Sequence, residues 1–243
     1  MQRWLGDAYG SLYSRFGRET FSLQDAKAVL RLKESNLYVA FSLLHKAGAV
    51  IIFDRGTPRT YRLLDPRSLV LKMSGAVTAP DFSQEEYLQL VYDTYRALRE
   101  RVELTSFCVF GSVARGEAKK SSDIDILVVS DSFRGSVASR IDSLSYVDEM
   151  VKDEIRFLGE HGLRTMPTIL PLRREEAERV PVLFLDLSVH AKILYDEGRL
   201  MTGILGKLRA RLDLAGSVRV ESGGGWYWDL KPDFKRGEKE VVI

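Results

Sequence analysis

The stretch Phe110–Val129, FGSVARGEAKKSSDIDILVV, decides how this chain is read. It grows out of the apolar run Phe107–Phe110 (FCVF), the pattern of a strand covered on both faces. Gly111 and Ser112 end that run abruptly, and residues so small let the backbone come close to another group. From Ser112 to Glu117 the chain is expected to turn into a short helix whose free N–H groups suit a phosphate. SSDIDILVV then resumes as a strand, with Asp123, Asp125 and Leu127 on one face and Ile124, Ile126 and Val128 on the other. Two carboxylates one pleat apart repel each other unless a cation lies between them. Mg²⁺ fits that demand, since it takes oxygen ligands, keeps several waters and joins carboxylates to substrate phosphates. The stretch therefore predicts a site for a nucleotide and a metal.

A Gly-Ser pair, ten intervening residues and an Asp-Ile-Asp strand together resemble the signature of the nucleotidyltransferase superfamily related to DNA polymerase beta. The likeness is strongest to its minimal members, in which GSxARGEA followed by SDIDLLV is typical. It covers roughly residues 85–200, with the strong motif confined to the twenty residues quoted. The resemblance implies that Gly111 and Ser112 hold a triphosphate and that Asp123 and Asp125 bind one or two Mg²⁺. Arg115 is then either a further phosphate contact or the partner of Glu117, and Lys119 and Lys120 are solvated loop charges. Active members usually carry a third carboxylate on a later strand, yet the next strand-like run, RTMPTILPL from Arg164, contains no acid. Asp186, in VLFLDLSV, is the substitute candidate, ahead of Glu175 and Glu176; its alternative is a helix cap or a structural ion pair.

The activity implied is Mg²⁺-dependent transfer of a nucleoside monophosphate, AMP first among them, from a triphosphate to a hydroxyl on protein or nucleic acid. Minimal members often belong to toxin–antitoxin pairs, so a separately encoded helical partner is expected too. The rival reading is a DNA-binding transcriptional regulator whose transferase fold only senses nucleotide or supports dimerisation.

Residues 1–70 differ in charge from the rest. They hold eleven Lys/Arg against six Asp/Glu, a net +5, and since the whole chain carries +2 the remainder carries −3. A basic front unit on a slightly acidic remainder points any polyanion contact toward the front. Helical periodicity runs from about Trp4 to Phe16, from Ser22 (SLQDAKAVL) and from Ser35 (SNLYVAFSLLHKAG), with Ser22 and Ser35 as N-caps and Gly48 as the closing residue. AVIIF and TYRLL follow as a hairpin around DRGTPR. Helix, helix, helix, hairpin resembles the winged helix-turn-helix family. That resemblance makes the helix from Ser35 a recognition helix presenting Asn36, Tyr38, Ser42 and Lys46 to duplex DNA, with Arg55, Arg59 and Arg62 of the wing on phosphate or minor groove. The alternative is a basic face on a protein-docking module. His45 is expected to be a surface histidine at the helix end.

The expected fold class is α/β (α+β): a winged helix-turn-helix over 1–70, a linker over 71–82, and a mixed sheet flanked by helices over 83–243. Ser83 and Glu86 suggest a capping box opening the helix of Tyr87, Val91, Tyr95, Leu98 and Val102. A long amphipathic helix is expected over Ile141–Leu158 and another over about Glu197–Leu214. Trp226, Tyr227 and Trp228 form either a base-stacking surface, a partner site or a packed tail. The single cysteine, Cys108, excludes an internal disulfide and a cysteine zinc cluster. His161 and His190 lack metal-ligand spacing. No apolar run is long enough to span a bilayer and no targeting segment shows, so the expected location is the cytoplasm. A palindromic DNA site would call for a homodimer.

Overall fold

The computed structural model describes residues 2–78, 81–222 and 225–232. The front third contains α1 (Arg3–Phe16), β1 (Phe21–Ser22), α2 (Leu23–Leu30), α3 (Glu34–Lys46), β2 (Val50–Asp54) and β3 (Thr60–Leu63). Its antiparallel sheet has the order β1-β3-β2, so the short β1, unforeseen from the sequence, pairs with the outer side of the hairpin. Ser22 caps α2 through the Asp25 N–H, and the Asp25 carboxylate returns the bond in a capping box. Ser35 is not the cap of α3. The helix starts at Glu34 behind Lys33, with no side-chain cap, and Glu34 complements the helix dipole in the first turn. Gly48, at φ +66°, closes it as expected.

The run after β3, which shows no clean period in the sequence, folds as α4 (Pro66–Met73). Asp65 accepts from Arg67 N and Ser68 N, and Pro66 sits at the first helical position, where its missing N–H costs nothing. The Ser83–Glu86 capping box does not form. A single 3-10 turn, Glu85–Tyr87, leads into α5 (Leu88–Arg99), and its side chains reach outward to other elements instead.

The larger sheet has the order β6-β5-β4-β7, built from β4 (Ser106–Phe110), β5 (Ile124–Val129), β6 (Pro167–Leu172) and β7 (Lys192–Asp196). β5 and β6 are parallel and the other pairs antiparallel, which gives the mixed sheet that was expected. Between these strands lie α6 (Gly111–Arg115), α7 (Val137–Ser143), α8 (Tyr146–Glu160), α9 (Arg174–Glu178) and α10 (Phe184–His190). The long helix foreseen over Ile141–Leu158 is thus two, broken near Leu144. After β7, Asp196 accepts from Met201 N and Thr202 N and so opens α11 (Leu200–Leu214). A hairpin of β8 (Val218–Ser222) and β9 (Gly225–Asp229) follows, and residues 233–243 of the expected tail lie outside the described residues.

The central strands separate two apolar layers, as their alternation requires. Phe107, Val109, Ile124, Ile126 and Val128 pack with α5 and α8, in a core continuous with that of the front third. Cys108, Leu127 and Val129 turn the other way, onto Phe184, Leu187, Met201 and Leu205. Among the described residues no helix is long and apolar enough to cross a membrane.

One expected DNA contact is overturned here. Arg62 is fully buried: its Nη2 donates to Glu154 Oε2 of α8 at 2.7 Å, Nη1 donates to Oε1, and the guanidinium lies 3.8 Å from the Phe157 ring centroid. Arg18 bridges Asp93 and Glu154 beside it, while Arg96 holds Asp65 at 3.1 Å. Arg62 therefore joins the hairpin to α8 and, with no exposed surface, cannot reach a phosphate. Arg55 is exposed, with its guanidinium 3.8 Å from Glu85, and Arg59 is exposed at the hairpin tip. Asn36, Tyr38, Ser42 and Lys46 all lie on the exposed side of α3. His45 is more than a solvated end-group, since Glu85 sits 2.9 Å from its Nε2 and also accepts from Ile52 N at 2.8 Å.

Candidate active site

The site forms where β4 ends and β5 begins. The antiparallel register pairs Phe110 with Asp125, which sets Gly111, the next residue, against the Asp125 side chain. Gly111 is required twice over. Its φ is +69°, and a Cβ there would overlap Asp125 Oδ2 and lie 2.9 Å from Cγ. The carboxylate occupies the space a side chain would fill, a role for this glycine that motif reading alone does not supply.

α6 begins at Gly111, carries Ser112 half-buried on its first turn, and ends at Gly116 with φ +76°. A Cβ on Gly116 would overlap Ser83 Oγ, because the loop behind α6 is moored to the turn before α5. Gln84 grips Ala118 from both sides, donating to its carbonyl at 2.9 Å and accepting from its N–H at 2.8 Å. Tyr87 donates to Lys119 O at 3.3 Å. These supports were missed because Ser83 and Glu86 resemble a helix cap in sequence, and nothing local shows that residues 83–87 face the motif loop. Lys119 and Lys120 are exposed, as expected for loop charges.

Asp125 lies on β5, and Asp123, expected on the same strand, immediately precedes its first residue. Asp123 is exposed and accepts from Met166 N at 3.2 Å, while Asp125 is half-buried. Burial raises the Asp125 pKa most, Asp123 and Asp186 add to the rise, and Arg115 opposes it. Three carboxylates thus share one electrostatic environment with a single guanidinium among them. Arg115 pairs with Glu117, one of its two expected roles, and also with Asp186, which was not foreseen: Nε donates to Glu117 Oε2 at 2.9 Å and Nη1 to Asp186 Oδ2 at 3.2 Å. Asp186 lies on the first turn of α10, which packs against α6, and its Oδ1 is buried with no hydrogen-bond partner.

The other acids are elsewhere. Glu176 is bound by Arg140, at 2.6 Å from Nη1 and 2.8 Å from Nη2, and that bond holds its carboxyl down to about 2. Glu175 is exposed on α9. Strand β6 places Thr168, not an acid, beside Asp125. Among the described residues no three His, Cys, Asp or Glu side chains gather closely enough to enclose an ion, so Asp186 stands near the aspartate pair without closing a set of three.

Residues 93–179 match the family model described as "Nucleotidyltransferase domain", a segment that contains Gly111, Ser112, Arg115, Asp123 and Asp125 and stops short of Asp186. A Methanocaldococcus jannaschii protein named "Putative protein adenylyltransferase" is 23% identical over 124 residues, 51% of this chain and 80% of the relative. Both comparisons support nucleotidyl transfer in general terms.

Proposed function

We propose that this protein moves a nucleoside monophosphate, AMP first among candidates, from a triphosphate to a hydroxyl on protein or nucleic acid. The observation that carries the proposal is the fit of Asp125 into the missing side chain of Gly111, which sets the Asp125 carboxylate directly against the first turn of α6 and its backbone N–H groups. Gly111 and Ser112 bind phosphate through those N–H groups and the Ser112 hydroxyl. Arg115, the last residue of α6, is held by Asp186 and Glu117 and sets positive charge near Asp125. The donor set suits a hard cation: Asp123 and Asp125 would hold one or two Mg²⁺, and such an ion supplies charge that stabilises the α-phosphoryl group and the leaving pyrophosphate. In the transfer the acceptor oxygen bonds to the α-phosphorus, the bond to the bridging α–β oxygen breaks, and pyrophosphate departs. Asp186 Oδ1, which lacks a partner, takes the acceptor proton.

The pairing of Asp186 with Arg115 favours a second reading, in which the fold binds nucleotide without turnover. Incubation with cell extract and Mg²⁺ separates the two. Label from α-labelled ATP is expected to enter a macromolecule while label from γ-labelled ATP stays in small molecules. No incorporation from either, or equal incorporation from both, would overturn the transferase reading.

The proposal extends to residues 1–70, read as a winged helix-turn-helix that binds duplex DNA. The element order and the exposed row Asn36, Tyr38, Ser42 and Lys46 on α3 support it, with Arg55 and Arg59 on the hairpin. Duplex binding is expected to fall steeply with added salt and to weaken when Arg59 and Lys46 lose their charge. Binding that ignores both changes argues for protein docking.

A further inference from the structure

Trp226 and Trp228 share a face of the C-terminal hairpin yet have different surroundings. The register pairs Arg219 with Trp228 and Glu221 with Trp226, so these four side chains project from one face and Val218, Val220, Tyr227 and Asp229 from the other. The second face is open, with Tyr227 and Val218 exposed. On the first, Trp228 packs against the apolar cluster that contains Leu187 and Leu205, as a packed tail would. Trp226 joins neither apolar cluster. It is half-buried, and the Arg219 guanidinium lies 4.4 Å from its ring centroid.

Arg219 connects this indole to the aspartates. Its Nη1 donates to His190 Nε2 at 3.1 Å, and His190 follows Asp186 by four residues on α10, about 6 Å of helical rise. Burial first, then Arg219, lowers the His190 pKa, consistent with a neutral ring that accepts at Nε2. Asp186 in turn holds Arg115 beside Asp125. The line from the carboxylate pair to the indole therefore runs Asp125, Arg115 with Asp186, His190, Arg219, Trp226. Two polar atoms along it, Asp186 Oδ1 and Arg219 Nε, are buried without a partner, the condition a bound polar ligand relieves. A guanidinium stacked on an indole offers a flat π-face next to positive charge, which suits a base attached to phosphates more than an aliphatic acceptor.

We propose that the Arg219–Trp226 face of the hairpin is the nucleobase platform of this site, with the base stacked on Trp226 and the phosphates at Gly111 and Ser112. This rests on the nucleotide reading of the site. It assigns substrate recognition to residues beyond the matched domain segment, which ends at 179.

Calorimetric titration of the full chain with a non-hydrolysable ATP analogue, and separately with inorganic tripolyphosphate, both in Mg²⁺, tests it. Trp226→Ala is expected to weaken the analogue about tenfold, within the range of base–aromatic stacking, and to leave tripolyphosphate unchanged. Trp226→Phe should retain most of the affinity, and circular dichroism melting of both variants should match the parent. Arg219→Ala is expected to follow Trp226→Ala. If the two alanine variants bind the analogue as the parent does, or lose analogue and tripolyphosphate equally, the platform is wrong while the nucleotide site stands. Failure of the parent to bind either ligand overturns the nucleotide reading itself.

Discussion

Asp125→Asn is expected to cut nucleotidyl transfer by on the order of 10³-fold, the upper range for losing one fixed electrostatic stabiliser of a transition state. Asparagine keeps the shape that fits against Gly111, so the turn and the β4–β5 register survive. What disappears is negative charge at the position where the proposed cation is held. The same change should leave the fold as stable as the parent or more so. Burial and Asp123 raise the Asp125 pKa in the folded chain, so its ionised form opposes folding at neutral pH, and that penalty vanishes with the charge. Transfer assays paired with urea unfolding check both halves. A variant that loses activity and stability together would mean Asp125 serves the fold; one that keeps activity would remove it from the site. An activity loss with stability retained is the pattern of a residue strained for function.

That combination explains why the site was more legible than its surroundings. FCVF, Gly111 and the alternating Asp-Ile-Asp carry their information within twenty residues, and strand period and turn chemistry are local signals. The mixed sheet followed from them, although β7 did not, because KILYD alternates weakly and is recognised only by its pairing with β4. The α4 helix had a local signal in Asp65-Pro66 that the mixed apolar run after it obscured. Asp186 could be picked as the remaining acid near an apolar segment, but its partner Arg115 lies 71 residues away. The reason for Gly111 was equally non-local: small size suggested room for phosphate, while the close neighbour is the Asp125 carboxylate. Arg62 was misread for the same reason, since a charged residue on a hairpin reads as exposed unless its buried partner, 92 residues on, is known.

Replacing Arg62 by Met is expected to destabilise the protein by about 3–5 kcal/mol, the range seen when one partner of a buried ion pair is removed. The cost comes from what stays behind. Glu154 is almost fully buried on α8, and Arg62 supplies both of its short hydrogen bonds as well as a cation over Phe157. Arg18, 3.7 Å from Glu154, softens the loss without replacing a two-pronged contact. The double variant Arg62→Met/Glu154→Leu should recover much of the stability, because an apolar pair of similar volume leaves no buried charge unpaired. Urea unfolding of the parent, both single variants and the double variant measures the coupling directly. Two additive single losses, or a single loss below about 1 kcal/mol, would mean the pair is not the joint between the hairpin and α8. The outcome also bears on DNA binding. An arginine that touched phosphate would change duplex affinity and its salt dependence while leaving unfolding nearly unaltered. The geometry requires the reverse, a large change in unfolding, with any change in duplex binding following from the loosened joint between α8 and the hairpin.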